Sequence, residues 1–470
     1  MNAFGTVVAA TILLSLLVLS ARVLRRWVHT FDRFFVPTSV IAGLLGLCLG
    51  PQVAGQLYPE GTFLSQGIFP AQIVEVWRAM PGILISFVFA GMFLGKRVPP
   101  AREIWRMGGP QALLGYTMSF GQYAVGLMVA LWILSPLMQV NPLSGVLLEI
   151  SFSGGHGTAA GLAKTFTELG FPEGQDLALG LATIGLIAGV VLGTLFINYA
   201  VRRDSITIAR EEPASKEEHY DLTAIQDNEN FDTKTASDTT SDPLTLHLGL
   251  VAVALILGEL LRRLLMLFEH YTYGPFTGEI MPYVPLFPMA MIGGAILQAI
   301  LTSSGKDRHV SRELINRISG VSLDFIIVAA LATMSLASIG KNWQAFVILA
   351  VTGLAWTVFC FWVLAPRMLP NRWFEKAIGD FGQGTGMVAS GLLLMRIADP
   401  KSRSGAFEAF GCKQLVFEPF LGGGVITALA LPLCVRVGPF ALLVFFGTAT
   451  LVSIVLGILL FRPSAITPGK

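Results

Sequence analysis

Long apolar runs repeat along almost the whole 470-residue sequence. Backbone amides cannot stay unpaired in hydrocarbon, so such a chain must cross a bilayer as helices or as a closed barrel. The runs are about 18 to 25 residues long and do not alternate strictly between apolar and polar residues, which favours helices. They cover residues 4–21, 36–50, 81–95, 110–138, 143–165, 177–201, 246–268, 284–303, 319–339, 343–366, 377–397, 405–432 and 437–461. We therefore predict an all-α polytopic membrane protein.

Composition supports the membrane class and excludes others. Hydrophobic residues make up 53% and charged residues 13% of the sequence, and the mean hydropathy is +0.67, outside the range of ordinary soluble domains. The net charge of +2 is too small to indicate nucleic-acid binding. Residues 1–21 carry no charge and the basic Arg22, Arg25 and Arg26 follow them, so we expect a retained first helix rather than a secretory signal.

No sequence motif indicates an enzyme. The four cysteines, Cys48, Cys360, Cys412 and Cys434, are scattered and suggest neither a disulfide framework nor a metal site. The patterns GxxxxGK[ST], HExxH and GxSxG are absent from the sequence. We therefore expect no enzymatic activity, no ATP-driven pumping and no cofactor.

A strongly acidic segment divides the sequence nearly in half. Between Glu211 and Asp242 there are ten acidic residues and two lysines, a composition typical of a solvated, flexible linker. The predicted domains are a first inverted repeat over 1–202 with a re-entrant hairpin at about 143–165, a cytoplasmic linker over 203–244, a second repeat over 245–435 with a hairpin at about 377–397, and an extra C-terminal helix and tail over 436–470.

Two signals indicate that the halves are related. A proline and a glycine six residues apart mark the second apolar run of each half, at Pro37 and Gly43 and again at Pro288 and Gly294. A glycine-rich string also recurs in the fifth run of each half, reading GHGT and then GQGT. Repeats of this kind are a common origin of transporter folds. We predict about five transmembrane helices plus one re-entrant hairpin in each repeat.

Charge placement predicts the topology. Short cytoplasmic loops are rich in Lys and Arg. All the basic loops can be cytoplasmic only if the two glycine-rich segments are hairpins that do not cross the membrane. The first would then enter from outside and the second from the cytoplasm. This arrangement is an inverted topology.

The first glycine-rich string, SFSGGHGTAAG at residues 151–161, has the composition of a hairpin tip. Non-helical backbone at membrane depth is tolerated only where protein buries it or where it lines a watery cavity. Freed amides there can hold a carboxylate, and the hydroxyls of Ser153 and Thr158 can hold a sodium ion. The alternative is close helix packing by small residues.

The second string, GDFGQGTG at residues 379–386, is the counterpart from the other half. Two broken helices that meet near the midplane would make one compact site, with His156 and Gln383 at matched positions, although His156 can also be a structural hydrogen-bond donor. Asp324 and Asp380 are candidate cation ligands because a buried charge implies a partner or a function. Glu149, Glu418, Lys164, Lys413 and Arg396 are weaker charged candidates.

These considerations give one predicted site. The predicted substrate-binding residues are Gly154, Gly155, His156, Gly157, Thr158, Gly382, Gln383, Gly384, Thr385 and Gly386. The predicted sodium ligands are Ser151, Ser153, Asp380 and Asp324.

The two strings and the Phe35-Val-Pro37 helix start resemble the bacterial sodium/glutamate symporters (glutamate:Na+ symporter, ESS type), and GGHGTAA is the most specific part. The order of segments matches over residues 4–432, but the second string, the acidic linker and the final helix at 437–461 depart from the family pattern. The resemblance implies sodium-coupled import of L-glutamate across the bacterial inner membrane by a homodimeric elevator-type carrier. Its scaffold would form the dimer contact, and both hairpins would lie in the moving part.

Two other functions stay open at this point. A carrier of the same architecture can move another small carboxylate such as aspartate, malate or citrate. A channel with two re-entrant loops would have the same hydropathy profile.

Overall fold

The computed structural model describes residues 3–28, 36–57, 67–96, 99–202, 242–274, 279–400 and 402–461. Phe35 of the predicted helix start, residues 203–241 of the predicted linker and residues 462–470 of the predicted tail lie outside the described residues. Within the described ranges the regular structure is entirely helical. Ten of the helices are long and apolar enough to cross a membrane. The prediction of an all-α polytopic membrane protein is confirmed.

Among the described residues, the first half contains eight α-helices of six or more residues: α1 (Ala3–Trp27), α2 (Thr38–Leu49), α3 (Ala71–Ala90), α4 (Ala101–Val129), α5 (Leu147–Phe152), α6 (Gly155–Gly161), α7 (Ala163–Glu168) and α8 (Gly174–Arg202). Pro37, Pro70 and Pro100 directly precede α2, α3 and α4. Proline suits a helix start because its φ is fixed near the helical value and its missing N–H has no partner to lose there.

The described part of the second half contains nine α-helices of this length: α9 (Pro243–Tyr271), α10 (Leu286–Ser303), α11 (Arg312–Ala332), α12 (Leu336–Lys341), α13 (Trp343–Phe359), α14 (Trp373–Ala398), α15 (Ala406–Phe417), α16 (Val425–Val437) and α17 (Pro439–Phe461). The 3-10 turns lie at Ala54–Leu57, Pro142–Val146, Met281–Tyr283 and Asp307–His309. The Asp242 side chain accepts the Leu244 amide at 2.7 Å, which caps the start of α9.

The order of elements is similar in the two halves. Each begins with three helices and continues, in the second half after the short α12, with a helix that leads into a π-helical turn, Ala130–Leu134 after α4 and Cys360–Leu364 after α13. The π turns lead into the final helical turns Ser135–Met138 and Ala365–Met368. The sequences there read WILSPLM and WVLAPRM. Their similarity is a further sign of the repeat, beside the matching prolines and glycines.

One predicted segment differs from the structure. The apolar run 405–432 is not a single helix, because the chain leaves the helical path between α15 and α16, where Gly422 and Gly423 have φ of 68° and 105°. Glycine has no Cβ and adopts these angles without steric cost. The described part of the first half has five continuous helices that could span a membrane. In the second half, the element that follows the second hairpin is broken.

The helices form two bundles. Bundle A consists of α1–α3 and α9–α11, which pack mainly on one another. Bundle B consists of α4–α8 and α12–α17, and it contains both glycine-rich strings. The C-terminal helix α17 packs along α4, with the Phe446 and Tyr123 rings stacked at 4.3 Å. The helix predicted to be extra is therefore part of the packing of bundle B.

Small residues set the packing of bundle A. A Cβ added to Gly293 of α10 would overlap the Ala254 carbonyl oxygen of α9 and lie 2.7 Å from the Gly258 nitrogen. Such close backbone approach is how helices pack tightly in membranes, where van der Waals contact replaces the hydrophobic driving force.

We expect Gly293→Val to push α9 and α10 apart and to destabilise the protein by about 1–3 kcal/mol, the usual cost of overpacking. The measurement is the thermal unfolding midpoint of the purified protein in detergent. The control is Gly249→Val on α9, where an added Cβ meets nothing within 4 Å. Equal midpoints for the two variants would contradict the packing argument.

Candidate substrate and cation site

The first hairpin breaks at Gly154 and Gly155. It enters through the 3-10 turn Pro142–Val146, where the Asn141 side chain accepts the Leu143 amide at 3.0 Å. It continues as α5 and resumes as α6 after a turn in which Gly155 has φ of 71°. A side chain in this conformation would be strained, which explains the glycine.

The second hairpin breaks inside α14. Helical geometry ends at Gly386 (φ −160°, ψ 38°) and at Met387 (φ 66°, ψ 176°). A positive φ is uncommon for methionine and indicates a backbone held in place by its surroundings. A Cβ placed on Gly155 would lie 3.4 Å from the Met387 Cβ, so the breaks of the two hairpins face each other. The structure thus brings the two predicted strings together.

Gln122 of α4 joins the two breaks through a single amide group. Its Nε2 donates to the Gly384 carbonyl at 2.6 Å, and its Oε1 accepts the Ser153 hydroxyl at 3.0 Å. Ser119 lies one turn before Gln122, and its hydroxyl is 3.0 Å from that of Ser153. Gln122 is fully buried. The side chain therefore satisfies polar groups that the broken helices leave without helical partners.

His156 acts as a structural donor in this arrangement. Its Nε2 lies 2.9 Å from the Thr183 hydroxyl of α8, and that hydroxyl donates to the Leu179 carbonyl at 3.0 Å. Because the hydroxyl has only one proton, it must accept from His156, which places the proton of the neutral imidazole on Nε2. The ring fixes the first hairpin to α8.

Asp380 forms a buried ion pair with Lys413 of α15. The Lys413 Nζ lies 2.7 Å from the Asp380 Oδ1 and 2.5 Å from the Gln383 Oε1. Both charged side chains are almost fully inaccessible. An ammonium in this position repels a second cation, so the pair disfavours Asp380 as a sodium ligand. Gln383, predicted to bind substrate, is likewise turned toward α15, where its Nε2 donates to Gln414.

Glu149 of α5 is a second fully buried carboxylate. It accepts hydrogen bonds from the Tyr123 hydroxyl, from the Gly422 amide at 2.7 Å and from the Thr427 hydroxyl at 3.0 Å. The donors come from α4, from the break between α15 and α16, and from α16. Glu149 therefore links the first hairpin to the region where α15 and α16 are interrupted.

The other predicted residues have distinct environments. The Ser151 hydroxyl is buried and has no hydrogen-bond partner among the described residues, which leaves its oxygen available to a cation. Thr158 and Thr385 bond to carbonyls of their own helical turns, at Gly154 and Phe381. Asp324 lies on α11 of bundle A with an exposed side chain next to Ser39, and the structure does not place it at the meeting point of the hairpins.

The glycines of α6 form part of the contact with bundle A. A Cβ on Gly157 would lie 2.9 Å from the Ile85 Cδ1, and one on Gly161 would lie 3.0 Å from the Ile85 Cγ2. Leu323 and Phe287 also touch this face. The surface between the first hairpin and bundle A is therefore apolar and closely fitted here.

The glycine strings give no indication of the polar residues on one face of α4. Ser119, Gln122 and Tyr123 are spaced at i, i+3 and i+4, so they share one face of a helix that is otherwise largely apolar. This spacing is a signal that could have identified them. The sequence also contains both Asp380 and Lys413, but their separation along the chain gives no indication that they pair.

We expect Asp380→Asn and Lys413→Met each to destabilise the protein by about 3–5 kcal/mol, because each leaves an uncompensated buried charge. The double variant should lose much less than the sum of the two, as measured by unfolding in detergent. The control is Lys164→Met, since Lys164 is 84% exposed and its pair with Glu168 contributes little. Unchanged stability of Asp380→Asn together with weaker sodium dependence of transport would instead support a sodium ligand.

Comparison with known proteins identifies the family. The family model described as sodium/glutamate symporter matches residues 108–377, more than half of the chain. A sodium/glutamate symporter of Escherichia coli is 25% identical over 378 residues, which cover 76% of this chain and 82% of the relative. The one from Haemophilus influenzae is 22% identical over 314 residues, covering 66% and 70%.

No solved structure matches the chain. The relatives are named as symporters, which confirms the expectation that the chain is not an enzyme. The predicted resemblance to the sodium/glutamate symporters is also confirmed, and the chain belongs to that family.

Proposed function

We propose that the chain is a secondary transporter that imports L-glutamate with sodium across the bacterial inner membrane. Membership of the family and the names of the relatives support the substrate and the coupling ion. The observation that carries the proposal is the Gln122 amide, which bonds to the Ser153 hydroxyl in the first hairpin and to the Gly384 carbonyl in the second. Interrupted helices that meet inside a bundle are typical of transporter binding sites.

In this proposal the glycine strings bind the substrate. Backbone amides in the segment 154–158, where α6 begins, hold the carboxylates, because glycine lets a ligand approach the main chain closely. The segment 382–386 ends the first part of α14, so it borders the substrate with its glycines and freed carbonyls. The hydroxyl oxygens of Ser151 and Ser153 are the proposed sodium ligands in the first hairpin. Asp380 and Asp324 are left out of the sodium site, because one is paired with Lys413 and the other lies in bundle A.

Sodium coupling has a simple energetic reason. Glutamate carries a net negative charge, and a negative cell interior opposes its entry by about 2.3 kcal/mol per charge at about 100 mV. One co-transported sodium ion cancels this penalty. Further sodium ions, or the sodium gradient itself, then drive accumulation.

We further propose an elevator mechanism in which bundle B moves against bundle A. The division of the helices supports it, because the first three helices of each half form bundle A and the parts that carry the hairpins belong to bundle B. The same division supports two inverted repeats over 1–202 and 245–435, joined by the segment 203–244. In the proposed homodimer, bundle A supplies the contact between protomers.

The first test is uptake of labelled L-glutamate into proteoliposomes with an inward sodium gradient, or a potassium gradient as control. We expect sodium-dependent accumulation by the unaltered protein and at least a roughly tenfold slower rate for Gln122→Ala, which leaves buried polar groups unpaired in both hairpins. The matched control is Thr117→Val on the same helix, since the Thr117 hydroxyl bonds only to the Leu113 carbonyl of its own turn. Uptake of malate or citrate in place of glutamate would change the proposed substrate.

Cysteine crosslinking tests the elevator mechanism. With the four native cysteines replaced by alanine, Ile85→Cys and Gly161→Cys place two thiols across the contact between the bundles. We expect oxidation to the disulfide to stop uptake and a reductant to restore it. Each single cysteine variant under the same oxidant is the control. Full uptake by fully crosslinked protein would exclude movement of α6 against α3.

A further inference from the structure

A cavity of about 570 Å³ lies between the two bundles and reaches the second hairpin at Val388 and Leu392, just past its break. Its wall on the bundle A side includes Lys96, which follows α3, and Arg312 at the start of α11. Its wall on the bundle B side includes Gln414 of α15 and Glu418, which follows it. These positions adjoin loops rich in basic residues, which the charge pattern assigns to the cytoplasmic side.

The bundle A wall carries positive charge that is held in place. The Arg312 guanidinium donates to the carbonyls of Gly91 and Leu94 at 2.6 and 2.8 Å, which anchors it beside the end of α3. No carboxylate among the described residues lies within ion-pair distance of the Lys96 ammonium. Burial and the neighbouring Arg312 lower the pKa of Lys96 to about 8, while Glu418 acts in the opposite direction. Lys96 and Arg312 give this wall its positive charge, and Glu418 is their acidic neighbour on the opposite wall.

The bundle B wall contains a buried donor without an acceptor. Lys413 donates to the Gln383 Oε1, so Gln383 presents its Nε2 to the Gln414 Oε1 at 3.2 Å. This chain of bonds fixes the orientation of the Gln414 amide and turns its Nε2 away from Gln383. Among the described residues that nitrogen has no partner, and the Gln414 side chain is only 6% exposed. An unpaired buried N–H group is costly, and a ligand oxygen would satisfy it.

The two walls together carry both signs of charge. Lys96 and Arg312 suit carboxylates, and Glu418 suits an ammonium group. Glu418 has Lys96 and Arg312 as electrostatic neighbours, so the three groups together carry one net positive charge, which the two negative charges of malate would exceed. An α-amino dicarboxylate has two carboxylates and one ammonium group, which matches this set of charges.

We propose that this cavity is a second binding site, on the cytoplasmic side, for an α-amino dicarboxylate passing between the hairpins and the cytoplasm. Lys96, Arg312 and the Gln414 amide bind the carboxylate groups, and Glu418 binds the ammonium group. The proposal rests on the proposed function and adds a reason for an amino-acid substrate over malate or citrate. Gln414 bonds directly to Gln383 of the second hairpin, so the cavity borders the element that carries the GQGT string.

Kinetics from the two sides of the membrane test the proposal. In proteoliposomes of known orientation, we expect Lys96→Gln to raise the KM for L-glutamate presented from the cytoplasmic side by about tenfold, the effect of losing one charged contact. The KM from the opposite side should change much less. Lys306→Gln is the matched control, because Lys306 is an exposed lysine that does not line the cavity. Lys96→Arg keeps the charge and should keep the KM near that of the unaltered protein.

Glu418→Gln tests the recognition of the ammonium group. Glutarate is glutamate without its ammonium group, and it should inhibit efflux of labelled glutamate poorly in the unaltered protein. In Glu418→Gln the preference for glutamate over glutarate should fall by about tenfold. This ratio is measured within one variant, so it does not depend on how much of the protein folds.

The outcomes separate this proposal from the proposed function. Sodium-driven glutamate uptake with an unchanged cytoplasmic KM in Lys96→Gln and an unchanged glutarate ratio in Glu418→Gln would overturn the second site alone. Absence of sodium-driven glutamate uptake by the unaltered protein would overturn the proposed function. A glutarate ratio that falls in Glu418→Gln but not in the control Lys306→Gln would support the second site.

Discussion

The structure depends on one constraint, that main-chain polar groups cannot be left unpaired inside a membrane. Three interruptions of helices, at Gly154–Gly155, at Gly386–Met387 and between α15 and α16, create such groups. Buried side chains bond at each of them: Gln122 accepts the Ser153 hydroxyl beside the first and donates to the Gly384 carbonyl at the second, and Glu149 accepts the Gly422 amide at the third. The long helix α4 supplies both Gln122 and Tyr123, so it acts as the support on which the broken elements are assembled.

The contacts of Tyr123 also explain why the C-terminal helix α17 belongs to the core of bundle B. Tyr123 bonds to Glu149 on one side and stacks on Phe446 of α17 on the other. Packing of α17 on α4 thus restricts the side chain that holds the first hairpin. Bundle A has close helix contacts at glycines such as Gly258 and Gly293, and its buried Glu269 and His247 accept backbone amides near the helix ends. Polar networks fix the site within one bundle, and apolar faces separate it from the other.

The sequence was sufficient to predict the membrane class, the two glycine strings and their mutual approach, because glycine density and hydropathy are local properties. The sequence was not sufficient to predict which side chains bond to one another. The Asp380–Lys413 pair and the hydrogen-bond partners of Gln122 depend on how distant helices pack, and no spacing along the sequence indicates them. The break after α15 had a local signal, three successive glycines at 422–424, but the surrounding apolar residues favoured a continuous helix. Ser119, Gln122 and Tyr123 had a periodic signal that was visible without the structure.

The paired π-helical turns have a consequence for how related chains vary in length. A π turn holds one more residue than the α-helical turn that it replaces, so removing one residue converts it to regular helix without displacing the flanking segments. In Ala130–Leu134 and Cys360–Leu364 that extra residue lies on the long helix before each hairpin. A one-residue deletion elsewhere in α4 would instead rotate Gln122 or Tyr123 by about 100° relative to its partners. Single-residue gaps in an alignment of the family are therefore expected at these two turns rather than elsewhere in the long helices.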